Sequence, residues 1–272
     1  MKKQFLLPVT AAAAGAVLFV LRLLQRKTAF ESATGLAVKG HPLTIAPVIL
    51  LLAAGVVLFL LARKLPRGTE DTFPASFSTT DAGILTLPVM GILLMLLSGC
   101  VNVLSFVQPD LIPGSGMLSA TTHLLYAVTA AVPALTLFPA VSACRLRDDA
   151  AQRKPFDGTC LLAAPVCLVV RLVLSYRIYS INPVLETYYA EVLALVLMTL
   201  AFYHLSSFSF SSGRSGRFAF YSSFAVVVSL SALGGSESFF DLLLYAGGAL
   251  TLLGFLLLYL QESPAESNDL SK

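Results

Sequence analysis

Arg171, Arg177, Glu186 and Glu191 are the side chains best placed to do chemistry, because each stands within or beside a long apolar run. The runs Thr159–Ile178 and Val184–Ser207 are joined by Tyr179-Ser180-Ile181-Asn182-Pro183. Folding the chain back at Ile181 brings Arg177 level with Glu186 and Arg171 level with Glu191. The deeper pair then lies about 10 Å below the turn at 1.5 Å per helical residue. An ionised group at such a depth in hydrocarbon is costly, so it faces protein or water and has a partner.

Other polar residues fall at the same level of their own apolar runs: Asn102, His123, Tyr188 and Asp241, with Tyr176, Tyr179 and Tyr189 close by. His204 stands apart, near the other end of its run. Together they would line an outward-facing polar pocket. There Arg171 would meet an anionic group of a small polar or ionic solute, and Glu191 would balance it or carry a proton. His123 would assist as hydrogen-bonding partner or proton carrier.

Each residue also has a purely structural explanation. Ser238 and Asp241 have the spacing of a capping box. Glu186 complements a helix dipole, and Arg177 can snorkel to the surface. Arg171 and Glu191 would be a neutralising pair that fixes helix register. Spacing alone leaves both readings standing.

The elements that hold these residues follow from hydropathy. Of the 272 residues, 57% are hydrophobic and 12% charged, with mean hydropathy +0.83. Soluble domains carry about 25% charged residues. Several runs approach the ~20 apolar residues that cross a bilayer, and lipid forces such runs into helices. The expected fold is all-α, a polytopic transmembrane bundle with spans at about 5–25, 43–62, 83–106, 117–143, 159–178, 184–208, 217–234 and 238–260. Residues 1–261 form one helical domain, and 262–272 a polar, disordered tail. Gly83, Gly91 and Gly99 recur on one face of the third span and suggest close helix packing. Pro88, Pro133 and Pro165 are expected to interrupt the third to fifth spans.

Charge sets the orientation. Alternate segments hold Lys2, Lys3, Arg63, Lys64, Arg67, Arg145, Arg147, Arg153, Lys154, Arg214, Arg217 and Lys272. By the positive-inside rule these are cytoplasmic, as are both termini. The basic start followed by an apolar stretch also has the look of a signal peptide. With no small-residue cleavage site before a polar segment, an uncleaved first helix is expected.

Several function classes drop out. Scattered basic residues make no nucleic-acid surface. Three histidines and four cysteines show no metal-ligand spacing, and no cofactor is implied. No nucleophile–base or paired-carboxylate arrangement argues for an enzyme. The segment Thr34-Gly35-Leu36…Gly40-His41-Pro42, following a helix that ends in Arg22, Arg26 and Lys27, carries a resemblance. So does Tyr176-Arg177…Asn182-Pro183…Tyr189. In these two stretches the chain resembles a group of uncharacterised bacterial polytopic membrane proteins. The resemblance implies a bundle of about eight helices in the bacterial cytoplasmic membrane and no particular activity. Two roles are therefore expected for a chain whose first partner is the lipid bilayer: a transporter-like solute binder, or a non-catalytic envelope assembly or sensor component.

Overall fold

Each apolar run closes into one long helix, and the short polar segments between them set neighbours antiparallel. The computed structural model describes residues 6–29, 42–65, 73–108, 118–145, 158–180, 185–236 and 238–261. The expected Thr28–Pro42 loop fold, the Asn182–Pro183 cap, the Glu186 side chain and the tail from 262 lie outside the described residues. Among the described residues eight helical segments are long and apolar enough to cross a membrane, the fifth running from Gly158 to Ile178 and opening with a 3₁₀ turn. They are α1 (Leu6–Thr28), α2 (Pro42–Arg63), α4 (Ala82–Val107), α5 (Ala120–Ala143), α6 (Ala163–Tyr179), α7 (Leu185–Ser207), α8 (Ser215–Leu233) and α9 (Phe239–Leu260), with a single turn, α3 (Phe73–Ser76), between the second and third spans. A 3₁₀ turn at Gly158–Leu162 leads into α6.

α4 packs on α9 and α5, α8 packs on α1, α7 and α9, and α2 sits at the edge against α1 and α8. With water absent from both sides of a helix contact, lipid-embedded helices associate by close van der Waals fit. Glycine provides it here. A Cβ at Gly91 would lie 2.5 Å from the Gly247 carbonyl oxygen, and one at Gly247 2.7 Å from the Gly91 carbonyl oxygen. α4 and α9 are therefore in backbone contact. The outer faces stay apolar and exposed, as on α2 at Ile45, Ile49, Leu52 and Val56, which is the surface lipid would cover.

At the end where α1 begins and α9 finishes, α3 tucks beneath the bundle. Phe77 is fully buried, with ring centroids of Phe208, Phe218, Phe255 and Tyr259 at 5.3, 5.5, 5.9 and 5.8 Å. The Thr79 amide donates to the Cys144 carbonyl at 2.9 Å, and its hydroxyl to Gln261 Oε1 at 2.8 Å.

Two sequence expectations are corrected. α4 and α5 run unbroken through Pro88 and Pro133, and Pro165 falls in the first turn of α6, where no helical donor is lost. Pro88 is accommodated because Gly254 leaves room for its ring, whose Cδ would lie 2.4 Å from a Cβ there. Gly83 is no packing residue: it is exposed and its only near neighbour is the capping side chain of Asp81. Gly91 and Gly99 do pack, on α9 and on Ala127 and Ala131 of α5. The shared face seen in sequence is thus divided between two neighbours.

Candidate functional site: a buried charged layer

Arg171 sits in the middle of α6 and is entirely buried. Its position on the helix faces it towards α5 and α9, and its carboxylate partner is Asp241 in the first turn of α9, 2.5 Å from Nη2. Nη1 donates to the Tyr126 carbonyl oxygen at 3.2 Å. The guanidinium carbon stands 3.2 Å from the centroid of the Tyr126 ring, a desolvated cation–π contact. The Tyr126 hydroxyl is 3.1 Å from Ser175 Oγ, one turn beyond Arg171 on α6. A cation, an anion, an aromatic face and two hydroxyls thus lock α5, α6 and α9 together.

This pairing differs from the expected one. Depth along the hairpin matched Arg171 to Glu191, but depth carries no information about which way round the helix a side chain points. Glu191, on α7, is buried at the same level and within electrostatic range of Tyr126 and Tyr245. Asp241 is no cap either. Ser238 makes no side-chain capping bond, and the Asp241 carboxylate is turned inward to Arg171.

The remaining candidates are distributed around this pair. Asn102 is fully buried; its Nδ2 donates to the Ser98 carbonyl at 2.9 Å, and Ser98 Oγ donates to the Phe240 carbonyl at 2.7 Å. His123 is buried edge-on to Phe240 at 5.7 Å. Phe240 also lies 6.0 Å from Tyr126 and 5.9 Å from the Arg171 guanidinium, filling the centre. Tyr188 is half-buried, on the turn of α7 before Glu191, while Arg177 is exposed at the last turn of α6, as snorkelling requires. Tyr176 is exposed and belongs to the lipid-facing surface.

An open pocket was expected here; a closed layer is found. Arg171, Asn102, His123, Glu191 and Asp241 are all between 0 and 4% exposed. Within it, Arg171 Nε, Asn102 Oδ1 and the Tyr245 hydroxyl make no hydrogen bond among the described residues. Most buried polar atoms are bonded, so three orphans around one ion pair need explaining.

Four contributors escaped the sequence reading, yet each was signalled by helical spacing. Tyr126 follows His123 by one turn, Ser175 follows Arg171, Tyr245 follows Asp241, and Ser98 precedes Asn102. Arg22 was also underestimated. It is buried, donates to Gln25 Oε1 at 2.9 Å and to the Tyr189 hydroxyl at 3.2 Å, and lies 4.6 Å over the Tyr189 ring. The small residues Gly234 and Gly235 make space for it. Among the described residues no group of histidine, cysteine and carboxylate could hold a metal ion. Comparison with protein families, with characterised proteins and with solved structures gives no match.

Proposed function

We propose that this chain is a transporter-like protein of the bacterial cytoplasmic membrane, with both termini cytoplasmic, that binds a small polar or ionic solute in the Arg171–Asp241 layer. One observation carries the reading: the buried ion pair keeps an unbonded guanidinium N–H on Arg171, and the same layer holds an unbonded phenol at Tyr245 and an unbonded amide oxygen at Asn102 among the described residues. A pair kept only to fix helix register needs no such surplus. A donor, an acceptor and a hydroxyl suit a compact solute that itself both donates and accepts. The closed layer then corresponds to the resting arrangement, with Phe240 packed against Tyr126, His123 and the Arg171 guanidinium. Glu191 and His123 are the groups that would hold or pass a proton.

The test is uptake by proteoliposomes of a radiolabelled panel of small amino acids, carboxylates and inorganic ions. At least one member accumulates with wild-type protein, and uptake falls at least tenfold in Tyr245→Phe, which retains the fold. Uptake of every active member that persists undiminished in both Tyr245→Phe and Arg171→Lys overturns the proposal, as does a panel with no active member.

A further inference from the structure

The end of the bundle where α1 begins and α9 finishes holds a second feature, unconnected with the charged layer. A cavity of about 670 Å³ lies between the last turn of α2 and the start of α8. Three arginines line it, Arg63, Arg214 and Arg217, all exposed, and none has an acidic partner among the described residues. α8 also opens there. Its cap residue Arg214 makes no side-chain capping bond, and the first amide bonded back into the helix is that of Phe218, to the Arg214 carbonyl at 3.0 Å. The amides of Ser215, Gly216 and Arg217 therefore enter the cavity wall without helical acceptors, where the dipole favours an anion.

The rest of the lining is of opposite character. Phe59, Leu65, Phe220 and Tyr221 form an apolar wall on the side of the spans. Phe59 and Phe220 meet edge to face at 5.6 Å, Phe220 stacks with Phe224 at 5.7 Å, and Phe59 is half exposed on the lipid-facing surface. The cavity thus continues from a cationic mouth into the apolar belt. A soluble anion would use only the first half of it.

We propose that this cavity binds the phosphate headgroup of an anionic membrane lipid, with Arg63, Arg214, Arg217 and the α8 amides on the phosphate and the first carbons of an acyl chain along Phe59 and Phe220. Guanidinium forks suit phosphate oxygens, and basic pockets between spans bind anionic headgroups. The site stands whether or not the charged layer carries a solute.

The full-length protein, purified in mild detergent, is incubated with phosphatidylglycerol or with phosphatidylcholine, and retained lipid is counted by native mass spectrometry. Wild type retains phosphatidylglycerol in preference to phosphatidylcholine. Arg214→Gln/Arg217→Gln weakens that retention at least about fivefold, the loss of two charge-assisted phosphate contacts, and Arg214→Lys/Arg217→Lys recovers part of it. Arg177→Gln, which removes one arginine charge at the opposite end, leaves it unchanged. Retention that is indifferent to the Arg214/Arg217 double substitution, or falls equally in Arg177→Gln, overturns the site. Millimolar inorganic phosphate that displaces the lipid and protects the protein from heat as well as the lipid does overturns the lipid assignment.

Discussion

Asp241→Asn removes the negative half of the buried pair while leaving its volume almost unchanged. Arg171 is 0% exposed and cannot recover its lost partner from water. Removing one member of a buried pair destabilises by about 3–5 kcal/mol. The Tyr126 carbonyl and ring stay in place and retain part of the cation's stabilisation, which puts the expected loss near 3 kcal/mol. For a chain of this size each kcal/mol corresponds to roughly 2–4 °C, so the midpoint should fall by roughly 6–12 °C. Thermal unfolding in lipid nanodiscs measures it. Replacing both members, Arg171→Met with Asp241→Leu, should restore most of the loss, since no stranded charge remains. Arg171→Met is the decisive comparison, because in the Asp241→Asn background, where the cation is already stranded, it should cost far less than it does alone. An Asp241→Asn midpoint within a degree of wild type, or effects of the two substitutions that simply add, would refute the assignment of partners.

Other substitutions probe separate parts of the fold. Gly91→Ala drives a Cβ against the α9 backbone and should destabilise by about 2–3 kcal/mol, whereas Gly83→Ala, on an exposed face, should stay within about 0.5 kcal/mol; melting curves separate them. Phe77→Ala empties the centre of the aromatic cluster and should cost about 3–5 kcal/mol, read as lost folded protein after gel filtration. Tyr245→Phe deletes a buried hydroxyl that has no hydrogen-bond partner among the described residues, so its stability should equal or exceed wild type by up to about 1 kcal/mol; a loss beyond 1 kcal/mol would reveal a hidden partner.

How far the sequence led depended on what each property averages over. Span positions follow from sums over about twenty residues, so one misjudged side chain changes little; α2, for example, was expected at about 43–62 and is found at Pro42–Arg63. Burial is legible too, because a polar residue inside a long apolar run has little choice but to turn inward, and Asn102, His123, Arg171, Glu191 and Asp241 are all buried. Azimuth is different. Whether Arg171 turns to α7 or to α9 depends on the rotation of α6 within the bundle, which is set by its packing on α5 and α7, helices read separately in the sequence. The same limit explains Arg22. At the end of the first apolar run it looked like one of several orienting charges, yet its rotation buries it against Tyr189. The prolines misled for a related reason. A missing donor opens a helix only where nothing fills the space, and Gly254 closes on Pro88.

The most direct measurement is a density map of the protein in lipid nanodiscs, resolved well enough to place ordered water and small solutes. A polar binding layer predicts density within hydrogen-bonding distance of Arg171 Nε, the Tyr245 hydroxyl and Asn102 Oδ1, with the Arg171–Asp241 contact beside it. Apolar side chains packed directly on those three atoms, with no density between, would contradict it.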